Sequence, residues 1–238
     1  MKRTIFLLIL SLCAGAFLSA QGIYFDVGGG FGMTSTYVGG GASGGELPYS
    51  WSVDFESLPL GPKLGFDVSG KVGFAPISRL PLYVVGEISW SLPYKHEVKD
   101  EYTNPPYIEK YSYDMSVNHL FFGPGFVFYP TNSFQFSGSI GLVNTTFEHN
   151  NSEVYFYSLG NIHYNSNLKD SGIGFGFNLS GAIDLGSQSG FLLGGKLSYI
   201  DSEVDITVRN NEYWGDQNRT YSISTFHFGL FMKYRFKG

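Results

Sequence analysis

Four of the five histidines, His119, His149, His163 and His227, are side chains suited to exchange a proton near neutral pH. A hydrolytic role would need one of them within hydrogen-bond reach of a serine and an orienting acid. The spacing shows no such grouping, so no catalytic residue is assigned and the chain is expected not to be an enzyme. Asp201, Glu203 and Asp205 could offer oxygen ligands to calcium. They read instead as a solvated acidic cluster, and neither a metal centre nor a cofactor is expected.

The remaining charged residues acquire meaning only from the elements that carry them. Ile173, Phe175, Phe177, Leu179, Gly181, Ile183 and Leu185 alternate with Gly172, Gly174, Gly176, Asn178, Ser180, Ala182 and Asp184. One face is greasy and the other small or polar, the pattern of a strand that turns apolar side chains to lipid and polar ones to an enclosed interior. Gly186–Gly190 is a tight polar turn, after which Phe191, Leu193, Leu197 and Tyr199 face one way and Leu192, Gly194, Lys196 and Ser198 the other. The same alternation places eight charges on inward faces: Asp26, Asp67, Glu87 and Asp184 against Lys71, Lys196, Lys233 and Arg235. Four of each sign in a confined lumen are expected to form a structural network, because burying an unpaired charge is costly. His227 shares this inward register as a hydrogen-bonded structural group. Phe177→Arg is expected to destabilise the barrel, and Asn178→Ser to matter little.

The chain opens with Lys2 and Arg3, an apolar run from Ile5 to Leu12, and the small residues Leu18-Ser19-Ala20 before Gln21. This has the layout of a cleaved secretory signal at 1–20, leaving a single domain at 21–238. Cys13, the sole cysteine, lies inside the signal, so no disulfide is expected in the mature chain. The formal charge of −5 excludes a basic surface for nucleic acid. In 238 residues, the 32 glycines, 22 phenylalanines and 17 tyrosines suit a barrel whose aromatics face lipid.

Eight such segments follow one another: Gly22–Gly32, Leu64–Phe74, one from Leu82 through Trp90, Ser112–Tyr129, one from Phe134, the hairpin on either side of Gly186–Gly190, and a last segment ending at Phe236. In the fourth, the apolar positions change parity from Met115 and Val117 to Leu120, Phe122, Phe126 and Phe128, which predicts a bulge near Val117–Leu120. Short turns at Pro76–Pro81, Pro130–Ser133 and Gly186–Gly190 alternate with long connections at about 33–62, 92–111, 148–170 and 202–219. The expected fold is therefore all-β, an eight-stranded antiparallel transmembrane up-and-down barrel with its long loops outside. Such an interior is only just wide enough for side chains, so a wide pore is not expected. Tyr49, Trp51 and Phe55 in the first loop, and Tyr102 and Tyr107 in the second, are candidates for contact with an external partner.

The eight-strand rhythm, the turn and loop asymmetry, the Phe-Gly-Pro-Gly segment at Phe122–Gly125 and the terminal Tyr234-Arg235-Phe236 together resemble the small outer-membrane β-barrels, the OmpW, OmpX and OmpA-transmembrane-domain group. The resemblance covers Gly22 to Phe236. It implies a monomer in the outer membrane of a Gram-negative-type bacterium, surrounded by lipid and delivered by the barrel assembly machinery through its last strand. It departs from the group in Lys237 and Gly238, which follow the terminal aromatic. The expected function is a surface-exposed scaffold whose long loops bind external or host molecules, an external protein among them. An OmpW-like conduit for a small hydrophobic ligand is the second reading, and a lipid-modifying enzyme the third.

Overall fold

The computed structural model describes residues 22–41, 58–77, 80–104, 107–131, 133–157, 160–186, 190–208 and 217–237. The expected signal at 1–20 and the loop candidates Tyr49, Trp51 and Phe55 lie outside these residues. Eight strands, β1 (Ile23–Gly41), β2 (Leu58–Phe74), β3 (Leu82–Asn104), β4 (Tyr107–Thr131), β5 (Phe134–Tyr157), β6 (Gly160–Asp184), β7 (Phe191–Val208) and β8 (Gln217–Lys237), pair antiparallel in chain order. β8 returns to β1 through an antiparallel register that sets Asp26 opposite Arg235, closing the barrel.

Facing follows the alternation. Phe25, Val27, Phe31, Val68, Ile88, Phe122, Ile140, Leu142, Leu179 and Phe228 are exposed on the outer face, while Asp26, Lys71, Glu87, Lys196 and Lys233 are buried within. An outer surface this apolar around a charged interior is the reverse of a soluble core. Gly190 ends the β6–β7 turn at φ 73°, in the left-handed region where a Cβ is penalised.

The strands differ from expectation in length. β3 and β4 stay paired up to Asn104↔Tyr107, and β5 and β6 up to Tyr157↔Gly160. Most of the connections expected at 92–111 and 148–170 are therefore strand. Alternation marks a strand only where its two faces meet different surroundings. Beyond the apolar belt that difference ends, while backbone N–H and C=O groups still require partners and the ladder continues.

The expected bulge in β4 is also corrected. Met115, Val117, His119 and Phe121 all point inward without interruption, and Leu120 and Phe122 outward. What changes near Val117 is the interior, which becomes apolar. The irregularity lies across the ladder on β3, where the four residues from Ser91 to Tyr94 span the three from His119 to Val117.

Candidate functional site

The lumen is filled in tiers. At the turn end, Tyr24, Val85 and Val127 pack with Tyr83 and Tyr129, and Arg235 pairs with Asp184 while lying over the Tyr129 ring. Above them is the charged tier. Lys71 Nζ lies 3.4 Å from Glu87 Oε2, Lys196 Nζ 2.9 Å from Asp67 Oδ2, and Lys233 Nζ 3.8 Å from Asp26 Oδ1. Glu87 also accepts hydrogen bonds from Ser139 Oγ and from Asn178 Nδ2, and Lys71 donates to Ser137 Oγ. The eight charges assigned to the lumen thus stand in four opposite-charge pairs. Asn178 is part of their support, so the expectation that Asn178→Ser matters little is withdrawn: the change would remove a donor from a buried carboxylate.

A hydroxyl and imidazole tier comes next. Thr36 Oγ1 lies 2.9 Å from Thr225 Oγ1, which lies 2.9 Å from His119 Nε2; His119 Nδ1 lies 2.9 Å from Thr145 Oγ1, to which Ser202 Oγ donates at 2.7 Å. This chain of contacts crosses the lumen between β8 and β4 and holds both nitrogens of a fully buried histidine. Beyond it Val38, Met115, Val117, Phe147, Val204, Tyr221 and Ile223 form one buried cluster. An interior of small polar residues and charge throughout is therefore not what the chain builds: its far tier is greasy. Sequence reasoning read Met115 and Val117 as lipid-facing because it assigned every apolar strand position outward.

The wall itself is interrupted beside the middle tiers. The β2–β3 ladder runs from Phe74↔Val84 to Asp67↔Ser91 and stops, although β2 continues to Leu58 and β3 to Asn104. Each strand has a proline-bearing irregularity just past this point. On β2, the four residues from Lys63 back to Leu60 span the three from Thr34 to Thr36, taking in Gly61-Pro62. On β3 the extra residue falls within Leu92-Pro93, and Ser91 Oγ accepts the His119 N–H at 2.8 Å. Proline offers no donor to a neighbouring strand, so the edges carrying Pro62 and Pro93 lack donors that would continue the ladder beyond Asp67↔Ser91. The β6–β7 ladder also ends early, at Gly174↔Ser202, but beside the exposed acids Asp201 and Glu203. The β2–β3 break is flanked instead by exposed Leu64, Phe66, Trp90 and Leu92.

A cavity of about 40 Å³ lies behind this break. Its lining joins inward groups, among them Thr34, Asp67, His119, Ser198 and His227, to Phe66 and Leu92 at the two strand edges. His227 Nδ1 lies 2.8 Å from Thr34 Oγ1, and its Nε2 faces Asp67 Oδ1 at 3.7 Å. The space for Thr34 depends on Gly65, where a Cβ would come within 2.2 Å of Thr34 Oγ1. Asp67 Oδ1, His227 Nε2 and Ser198 Oγ are buried without a hydrogen-bond partner.

Of the loop candidates, Tyr102 and Tyr107 fall in the far ends of β3 and β4. Their side chains, like those of His149 and His163, lie outside the described residues. Asp201 and Asp205 accept hydrogen bonds from Ser224 and Thr220, and no cluster of three or more metal-ligating residues occurs among the described residues. Sequence reasoning missed the break, although Pro62 and Pro93, read as loop residues, carried the signal. It also missed the meeting of Asp67, Ser198 and His227, which register alone brings together.

No protein-family model and no curated protein matches the chain. Among solved structures it is similar to the outer membrane protein OprG from Pseudomonas aeruginosa, at 15% identity over 92% of this chain and 98% of that one, with a TM-score of 0.55. Ail from Yersinia pestis, in complex with the heparin analogue sucrose octasulfate, is similar at 12% identity over 89% and 99%, with a TM-score of 0.40. The outer membrane protease OmpT from Escherichia coli is similar at 8% identity over 92% and 98%, with a TM-score of 0.42. The expectation that this chain is not an enzyme is withdrawn, because a barrel fold does not by itself exclude catalysis. The chain has the closed eight-stranded, all-antiparallel fold of the small outer-membrane β-barrels.

Proposed function

We propose that the protein sits in a bacterial outer membrane and passes small hydrophobic molecules sideways, between the barrel interior and the surrounding lipid, through the break between β2 and β3. The observation that carries this reading is the end of the β2–β3 ladder at Asp67↔Ser91, inside the belt of exposed apolar side chains. An opening there faces hydrocarbon. Two further features support it. The cavity behind the break is lined partly by the exposed edge residues Phe66 and Leu92, so the interior reaches the wall at this level. The uncharged far tier offers a hydrophobic molecule a path without desolvation of charge, while an ion entering it would lose its hydration. The loop-scaffold reading rests on aromatics outside the described residues or side chains, and no observation favours it over the passage.

The test is uptake of the hydrophobic dye N-phenylnaphthylamine by cells with an intact outer membrane. Cells making the protein should accumulate dye faster than cells with an empty vector. In a variant with Cys13→Ser, Phe66→Cys and Leu92→Cys, a short bis-maleimide joining the two edges should return uptake to the empty-vector rate. Equal uptake with and without the protein, or uptake indifferent to the cross-link, overturns the reading.

A further inference from the structure

We infer that the cavity behind the β2–β3 break is a binding site for the head group of an amphiphile, a hydroxyl at the end of an apolar chain. This rests on the passage just proposed and names the class of molecule it would admit.

The chemistry of the cavity selects that group. Three of the residues lining it each carry a buried polar atom without a hydrogen-bond partner: Asp67 Oδ1, Ser198 Oγ and His227 Nε2. Asp67 and Ser198 are 7% and 6% exposed, and they stand on β2 and β7 while His227 stands on β8, so the three converge from separate strands. Ionised Asp67 only accepts, a serine hydroxyl does either, and an imidazole nitrogen does one or the other according to its tautomer. A guest hydroxyl, which donates once and accepts twice, can give its proton to Asp67 and accept from Ser198 or His227. A carboxylate would meet Asp67 with like charge. An ammonium would meet Lys196, already held 2.9 Å from Asp67 Oδ2. An alkane would leave all three polar atoms unsatisfied.

Size points the same way. One water needs roughly 10–15 Å³ of such space, and the cavity has about 40 Å³, so it takes a head group and not a whole amphiphile. The apolar chain would lie along Phe66 and Leu92, on the strand edges that border both the cavity and the lipid-facing surface.

The experiment uses the full barrel in phosphatidylcholine nanodiscs, with histidine ring nitrogens labelled by ¹⁵N, titrated in parallel with 1-octanol and n-octane. The expected result is a saturable shift of the His227 signals with octanol and none with octane. His119, whose nitrogens are both held by threonine hydroxyls, should stay still. Ser198→Ala should weaken the octanol response roughly five- to tenfold, as the loss of one hydrogen bond predicts. Ser224→Ala, which removes a hydroxyl that bonds Asp201 away from the cavity, should retain a selective response. Equal responses to octanol and octane, or none to either because the cavity holds water alone, overturn the head-group site. Either can occur while the cross-link between residues 66 and 92 still stops dye uptake, which leaves the passage standing. An octanol-selective shift with cross-link-insensitive uptake overturns the passage and not the site.

Discussion

Lys71 and Glu87 show what a residue inside this barrel has to satisfy. Both are almost wholly buried, 3.4 Å apart, and the carboxylate takes further hydrogen bonds from Ser139 and Asn178. Removing one partner of such a pair leaves a buried charge uncompensated. Lys71→Met should therefore cost about 3–5 kcal/mol, and adding Glu87→Gln should recover much of that loss, because removing both charges removes the debt. Urea unfolding of the barrel in lipid vesicles, run as a double-mutant cycle, measures both. On the outer face the sign of the argument reverses. Ile140 is 68% exposed, lies opposite Phe177 in the β5–β6 ladder, and points where lipid would be. Ile140→Arg should cost about 2–4 kcal/mol at the bilayer midplane and much less at either interface. A cost near zero in the same unfolding assay would show that this face does not meet hydrocarbon.

Among the elements, β2 and β3 stand apart because their shared ladder ends at Asp67↔Ser91, between exposed apolar side chains, while both strands go on. Pro62 and Pro93 explain the separation: each removes a donor and sits within a register shift. Replacing both with valine returns the two donors and should lengthen the β2–β3 ladder. The expected outcome is additional slowly exchanging amides in β2 and β3 together with slower dye uptake. Unchanged exchange would mean that the prolines do not hold the edges apart. β5 and β6, which pair without interruption from Phe134↔Ile183 to Tyr157↔Gly160, provide the internal reference for exchange.

The described residues form a barrel closed in strand order around a filled lumen, with paired charges toward the short turns and an apolar cluster toward the far strand ends. Two tiers of opposite character in series resist ions for different reasons: one is packed with fixed charge pairs, the other offers no hydration. Reconstituted in a planar bilayer, the barrel should carry no steady current. Phe147→Ala with Tyr221→Ala, which thins only the apolar tier, should leave it silent because the charged tier still fills the lumen below. Steady current through the unaltered barrel would show that the tiers do not seal it.

The strand number, the antiparallel order and the facing of most belt residues were legible in the sequence, because a period of two is imposed wherever the two faces of a strand meet different surroundings. The inward placement of Asp26, Asp67, Lys71, Glu87, Asp184, Lys196, Lys233 and Arg235 followed from that rule. Their partners did not: Arg235 lies opposite Asp26 in register yet pairs with Asp184, and it is Lys233 that lies near Asp26. Apolar residues at Met115 and Val117 were assigned outward because alternation says that the faces differ and not which one is the lumen. Only the closed tertiary structure, by bringing β4 across from β1, β7 and β8, shows these residues packed inside. The wall break and the meeting of Asp67, Ser198 and His227 likewise depend on register between strands distant in sequence. A local pattern fixes how a strand presents its side chains, but the closure of the barrel decides which of them meet.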